Sequence, residues 1–197
     1  MRMTRAVVAL ALLLAGMLAR SPSALGMTMT VDGDRVVMSG PVDGDECGQL
    51  QSLMQQRIIR TVVLTQSHGG NAEAGYCVGA LIRAHGLDTE IRDSCNSSCS
   101  RMWLGGVSRT LDGKNARVGL HGNYRNGILE PGAPERLQSW IPTYALPVNR
   151  ELMAQWTTLP TNHDMMYFYN DHAELCESGR CTPLPGWNAV NAGLATR

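Results

Sequence analysis

A short apolar segment followed by helical sequence most constrains the fold of this chain. Thr61 to Thr65 is rich in β-branched residues, is short enough for a buried strand and ends shortly before Gly69-Gly70. From Ala72 to His85 the apolar residues recur at helical spacing, and Gly86 is a typical helix stop. Thr89 to Ile91 has the composition of another strand. This order predicts a βαβ crossover and therefore an α/β domain.

The rest of the chain continues this alternation. Apolar and polar residues alternate on both sides of Asp32-Gly33-Asp34, which predicts a β-hairpin. Further elements are predicted as helices at residues 47–60 and 98–104, a strand at 117–120 and a helical region at 135–157 interrupted by Pro142 and Pro147. We expect one α/β domain over residues 27–182 and an irregular tail over residues 183–197.

The N-terminus has the pattern of a secretory signal peptide. Arg2 and Arg5 precede an apolar run from Ala6 to Leu18, and small residues follow up to Gly26. A membrane anchor is the alternative, but the run is too short to span roughly 30 Å of hydrocarbon. We expect a signal peptide over residues 1–26, no stable membrane anchor after cleavage, and a periplasmic or secreted protein.

Charge and cysteine content narrow the possible partners. The formal net charge is zero, and loss of the signal peptide would make the chain modestly acidic, which argues against a nucleic-acid partner. The six cysteines would form disulfides in an oxidising compartment, and the sequence alone does not choose their pairing. The simplest set starts from Cys176 with Cys181 across Gly179 and is completed by Cys47 with Cys77 and Cys95 with Cys99. A metal site on Cys95, Cys99 and a histidine is a weaker alternative, so we expect no metal and no cofactor.

Three motifs in a fixed order indicate chemistry. Ser67-His68-Gly69-Gly70-Asn71 follows one predicted strand, Cys95-Asn96-Ser97-Ser98-Cys99 opens a predicted helix, and His121 follows another strand. A glycine turn lets backbone amides approach a ligand, a serine can act as a nucleophile, and an imidazole can take its proton. His68 would line the substrate cleft or face solvent.

These segments resemble the Clp-protease and crotonase-like fold, in particular its exported Clp-like serine hydrolases. The resemblance covers residues 36–42, 63–75, 95–106 and 116–121, with 28 residues from Gly70 to Ser98 and 23 from Ser98 to His121. It implies repeated β-β-α units with a mainly parallel sheet. It also implies a homo-oligomer, since members of this fold often assemble into rings.

The resemblance also implies the roles of individual residues. Ser98 would be the nucleophile, His121 the base, and the amides of Gly70 and Cys99 the oxyanion hole that stabilises the tetrahedral intermediate. Ser97 is the second candidate for the nucleophile and Ser100 the third. The alternative for Ser97 or Ser98 is a helix cap, which is a common use of serine.

The third member of a triad is less well defined. The family's acid position falls on Met166, so Asp164 is the best candidate and Asp171 a weaker one. A dyad, or His121 held by a backbone carbonyl, are alternatives, and Asp164 could equally be a solvated loop residue.

The function predicted from the sequence is therefore that of a serine peptidase acting on a peptide or other acyl substrate. A catalytically inactive binding or assembly module is the alternative. Thioester chemistry of the crotonase kind would need coenzyme A, which is not expected outside the cytoplasm.

Overall fold

A computed structural model describes residues 26–144 and 147–197. The predicted signal peptide, apart from Gly26, lies outside the described residues. Among the described residues no helix is long and apolar enough to cross a membrane.

The first sheet has five strands in the order β1-β2-β3-β4-β6. Their bounds are β1 Thr28–Asp32, β2 Arg35–Ser39, β3 Thr61–Thr65, β4 Asp88–Ile91 and β6 Arg109–Leu111. β1 and β2 form the predicted hairpin, and the remaining pairs are parallel. The side chains of Val62, Val63 and Leu64 are fully buried, as expected for a central parallel strand.

The second sheet has the order β12-β11-β10-β7-β5. It contains β5 Ser94–Asn96, β7 Arg117–Leu120, β10 Met165–Phe168, β11 Ala173–Glu177 and β12 Arg180–Pro183. Only the pair of β5 and β7 is parallel in this sheet of the described chain. β8 Tyr124–Arg125 and β9 Ile128–Leu129 form a separate small hairpin.

Five helices complete the described chain: α1 Glu46–Gln56, α2 Ala72–Ala84, α3 Ser98–Leu104, α4 Ala133–Tyr144 and α5 Arg150–Thr157. The α2 helix begins where predicted because the Asn71 side chain accepts a hydrogen bond from the Ala74 amide. The first helix is shorter than predicted, since Arg57 is already extended and Ile58 is 76% exposed. The predicted break at Pro142 is wrong, because α4 includes this residue.

Helices α2 and α3 approach closely through glycines. A Cβ atom on Gly75 would lie 2.4 Å from the Ser98 carbonyl oxygen, and one on Gly79 would lie 2.4 Å from that of Arg101. A Cβ on Gly105 would in turn meet the Gly79 carbonyl at 2.1 Å. The absence of side chains at these positions therefore sets how close α3 lies to α2.

The three disulfides are those of the simplest predicted set: Cys47–Cys77, Cys95–Cys99 and Cys176–Cys181. The first joins α1 to α2, and the second joins β5 to the first turn of α3. The third joins β11 to β12. The prediction of these pairings is confirmed.

Residues 184–197 contain no helix or strand, yet they pack against the domain. Ala189, Ala192 and Leu194 are fully buried, and the Arg109 guanidinium donates to the Leu194 carbonyl at 2.6 Å. The irregular C-terminal segment is thus part of the core of the domain.

Candidate active site

The site lies where two neighbouring parallel strands end. Asn96 at the end of β5 pairs with Gly119 in β7, and the Ser97 amide donates to the Gly119 carbonyl at 2.9 Å. The residues that follow the two strands, Ser97 and His121, therefore emerge at the same edge of the sheet.

Ser97 and His121 are in direct contact. The distance from Ser97 Oγ to His121 Nε2 is 2.7 Å, which is a good hydrogen-bond distance. Ser97 has φ 54° and ψ −124°, a backbone conformation that non-glycine residues rarely adopt. Such strained residues concentrate at functional sites, and in the α/β-hydrolases a sharp turn between a strand and a helix exposes the nucleophile.

The predicted contact between Ser98 and His121 is wrong. Ser98 is the first residue of α3, is fully buried, and its hydroxyl has no hydrogen-bond partner among the described residues. It faces α2, where a Cβ on Gly75 would lie 3.1 Å from the Ser98 Cβ. Ser100, the third candidate, donates to the Ser97 carbonyl at 2.5 Å. Ser97 contacts His121 because it lies on the turn before α3, whereas Ser98 lies inside the helix.

The double-glycine turn lies beside this serine. A Cβ on Gly69 would lie 2.7 Å from the Ser97 Cβ, and one on Gly70 would lie 2.1 Å from the Val42 carbonyl oxygen. Both glycines have positive φ, 88° and 146°, so a side chain is excluded by conformation as well as by space. The Gly70 amide donates to no group of the described chain, whereas the flanking amides of Gly69 and Asn71 are both bonded.

His121 is held in its neutral form. It is 8% exposed, and burial together with the charge of Arg101 lowers its pKa to about 4. The backbone and the carboxylate of Asp164 act in the opposite direction but are weaker. His121 Nδ1 makes no hydrogen bond of ordinary geometry to the described residues, so the Asp164 backbone lies near the ring without a formed bond.

The Asp164 carboxylate is directed elsewhere. It accepts hydrogen bonds from the Thr161 amide at 3.0 Å, the Thr161 hydroxyl at 2.7 Å and the Ser178 amide at 3.0 Å. These bonds, led by that from the Thr161 hydroxyl, lower the pKa of Asp164. The prediction of a carboxylate bound to His121 is therefore wrong. It also fails for Asp171, which pairs with exposed His172 at 2.6 Å.

Arg101 is the site residue that the sequence analysis missed. Its side chain is 2% exposed, lies over the Tyr76 ring at 5.1 Å, and donates through Nη2 to the Asn123 amide oxygen. Nε and Nη1 have no hydrogen-bond partner in the described chain. The only available signal in the sequence was its position in the first turn of the helix that follows the serine segment.

These residues border a cleft of about 890 Å³. Its lining includes Ser97, Arg101, His121, Gly70 and also His68, so the structure places His68 at the cleft. The cysteines that flank Ser97 in sequence form a disulfide, so their sulfurs are not the thiolates of the metal-site alternative.

The fold is Clp-protease/crotonase-like, as the resemblance implied. ClpP1 from Listeria monocytogenes is 17% identical, with 83% of this chain and 89% of that chain covered at a TM-score of 0.54. A mutant of the 1510-N membrane-bound stomatin-specific protease is 14% identical, with 81% and 75% covered at a TM-score of 0.51. A protein assigned as an enoyl-CoA hydratase from Streptomyces coelicolor A3(2) is 12% identical, with 94% and 71% covered at a TM-score of 0.49. The sequence matches no protein-family model and no curated protein.

Proposed function

We propose that this protein is a serine hydrolase, and specifically a peptidase, with Ser97 as the nucleophile and His121 as the general base. The observation that carries the proposal is the 2.7 Å hydrogen bond between Ser97 Oγ and His121 Nε2. Two of the proteins that share the fold are named as proteases or as ClpP1, which supports a peptide substrate.

The proposed reaction begins with neutral His121. A base must be unprotonated to accept a proton, and the low pKa of His121 keeps the imidazole neutral near pH 7. As Ser97 Oγ attacks the substrate carbonyl carbon, its proton passes to His121 Nε2. His121 then protonates the leaving amine, and a water molecule activated by the same nitrogen hydrolyses the acyl-enzyme.

The amides of Gly70 and Ser98 would stabilise the oxyanion. An oxyanion hole commonly uses the amide of the residue that follows the nucleophile. With Ser97 as the nucleophile, that amide belongs to Ser98 and replaces the one predicted for Cys99. Loss of one oxyanion donor typically raises the barrier by roughly 3 to 4 kcal/mol.

The proposed site is a dyad. No carboxylate of the described chain is hydrogen-bonded to His121. The Asp164 charge acts to raise the pKa of His121, but burial and Arg101 outweigh it. The unpartnered Nδ1 favours the alternative function, a binding or assembly module that has retained the fold without turnover.

Export is a further part of the proposal. Three disulfides are typical of proteins from oxidising compartments, which supports the predicted signal peptide. N-terminal sequencing of the exported chain should place the cleavage near Met27. Sedimentation of the same material measures the oligomeric state and tests the homo-oligomer that the family resemblance implies.

Labelling of the purified mature protein with a fluorophosphonate tests the catalytic proposal. We expect stoichiometric labelling of Ser97, its loss in Ser97→Ala and its retention in Ser98→Ala, which keeps the backbone amide. Mass spectrometry of the labelled peptide identifies the serine. Absence of labelling, under conditions in which a known serine hydrolase reacts, would favour the binding module.

A further inference from the structure

Arg101 carries a positive charge in the wall of the cleft, and no carboxylate of the described chain is hydrogen-bonded to it. The charge of Glu73 raises the pKa of Arg101, but the Glu73 carboxylate is itself bonded to Arg136 at 2.7 Å. Glu130, which lines the same cleft, is bonded to Arg125 at 2.7 Å. The groups that contact Arg101 in the described chain are the Asn123 amide and the Tyr76 side chain, and neither is a carboxylate.

The second buried arginine of the described chain shows how a purely structural arginine is satisfied here. Arg109 is 3% exposed, and its guanidinium donates to the carbonyls of Leu194 at 2.6 Å, Gly106 at 3.0 Å and Gly193 at 3.5 Å. All three of its nitrogens therefore have acceptors. In Arg101 only Nη2 has one, although the side chain is equally buried. A buried charge without partners is costly, so an unused guanidinium beside a cleft is suited to bind an anion.

The position of Arg101 relates this charge to the nucleophile. Ser97 directly precedes α3 and Arg101 lies in the first turn of this helix, whose side chains lean towards its N-terminal end. The Arg101 charge also reaches His121, whose pKa it lowers. Because Arg101, Ser97 and His121 line one cleft, an acyl group bound at Ser97 shares that cleft with the guanidinium.

We propose that Arg101 binds a carboxylate of the substrate next to the scissile bond, so that the enzyme prefers anionic acyl substrates. The inference rests on the proposed hydrolase function and names its substrate class. Arginine pairs with carboxylates through parallel N–H donors, and Arg101 has donors to spare. Nε and Nη1 are covered from solvent, so binding of the carboxylate requires a small shift of the side chain. An acidic side chain and a free peptide C-terminus both supply this chemistry.

The test compares pairs of substrates that differ only in charge. One arm uses acetyl-Ala-Glu and acetyl-Ala-Gln coumarin amides, and the other uses a peptide with a free C-terminus and its carboxamide. Charge-assisted hydrogen bonds predict a roughly 10- to 100-fold higher kcat/KM for the anionic member of one pair. The arm that shows the preference identifies the source of the carboxylate. Equal rates within both pairs would overturn the inference and leave the hydrolase proposal intact.

Variants then assign the preference to Arg101. Arg101→Met should abolish the preference for the anionic substrate, because kcat/KM for the neutral substrate falls less than kcat/KM for the anionic one. Arg57→Gln removes an exposed arginine at the end of α1 and should retain the preference. A preference that survives in a folded Arg101→Met variant would overturn the inference.

Binding measurements keep the inference testable if Arg101→Met does not fold or if the protein does not turn over substrate. Calorimetry with Ser97→Ala measures the affinities for two pairs of ligands. One pair is the acetyl-Ala-Glu and acetyl-Ala-Gln amides, and the other is the peptide with a free C-terminal carboxylate and its carboxamide. We expect roughly 10-fold or tighter binding of the anionic member, with the difference reduced in 0.5 M salt. Equal affinities would overturn the inference, whereas absence of fluorophosphonate labelling of the wild-type protein with retained anion binding would overturn the hydrolase proposal alone.

Discussion

Cys95 and Cys99 are joined across the turn that carries Ser97. Their Cα atoms are 5.2 Å apart, and both residues are fully buried. The disulfide ties the last strand residues before the turn to the first turn of α3, and it thereby restrains a backbone whose φ at Ser97 is positive.

Removal of this disulfide should therefore affect stability and the nucleophile together. For so short a loop, chain entropy predicts a loss of about 2 kcal/mol in the free energy of unfolding for the double variant Cys95→Ala with Cys99→Ala. We also expect slower fluorophosphonate labelling, because the strained Ser97 turn would relax. Denaturant unfolding and labelling rates measure both effects, and Cys176→Ala with Cys181→Ala serves as the matched control. Equal labelling rates in the two double variants would show that the Cys95–Cys99 disulfide does not act on Ser97.

The low pKa of His121 predicts a shifted pH dependence of activity. For the free enzyme, kcat/KM should rise with pH through a midpoint near 4, and not near the ordinary 6.5, because the base functions when neutral. The charged and polar groups that face the ring are Ser97, Arg101, Asp164 and Tyr124. Arg101→Met should move the midpoint upwards because it removes a positive charge. A wild-type midpoint near 6.5 would contradict the prediction.

The same pKa has a consequence for stability. The unfolded chain binds a proton at this histidine below about pH 6.5, and the folded chain does so only below about pH 4. Neutral His121 therefore contributes fully to the free energy of unfolding above pH 6.5. This contribution, on the order of 3 kcal/mol, is lost as the pH falls towards 4. Denaturant unfolding at pH 7 and pH 4.5 should show a smaller loss in His121→Gln than in the wild type. The difference between the two proteins isolates His121 from other titrating groups.

Asp164 should matter more for stability than for catalysis. Its carboxylate accepts bonds from Thr161 and Ser178, so Asp164→Ala leaves two amides without an acceptor and should cost about 1 to 3 kcal/mol. The labelling rate should change by less than about tenfold, whereas loss of the aspartate of a true triad lowers kcat by about 10⁴-fold. Asp164→Asn retains an acceptor oxygen and should lie between the wild type and Asp164→Ala in stability. A large loss of labelling in a stably folded Asp164→Asn would restore Asp164 as the third member.

The close contact of α2 with α3 provides a test of packing. In Gly79→Ala the new Cβ would lie 2.4 Å from the Arg101 carbonyl, so the helices must separate at a cost of about 1 to 3 kcal/mol. Gly48→Ala is the matched control, because it lies in α1 and its Cβ would meet nothing within 4 Å. That control should be neutral or more stable by roughly 0.5 to 1 kcal/mol, since alanine is the better helix former. Thermal unfolding of both variants measures the contrast.

Local patterns in the sequence were sufficient for several elements. The bounds of β3 and β7 follow from short apolar runs, and the start of α2 follows from Asn71 and the periodicity after it. These features depend on neighbours within a few residues, so they can be predicted without the fold. The second sheet was largely missed. β10, β11 and β12 are short strands that pair with one another in sequence order, and only the pairing of β10 with β7 joins segments that are distant in the sequence.

The sequence by itself determined that a glycine turn, a serine segment and a histidine follow successive elements of an α/β chain, and it indicated the disulfides. Only the tertiary structure decided that Ser97, and not Ser98, contacts His121. Ser97 lies on the turn, whereas Ser98, one residue later, lies on the face of α3 that packs on Gly75. It also decided that the Asp164 carboxylate serves Thr161 and Ser178, and that Arg101 is buried with unused donors. Side-chain direction and the satisfaction of buried polar groups depend on contacts between distant segments, which no local pattern specifies.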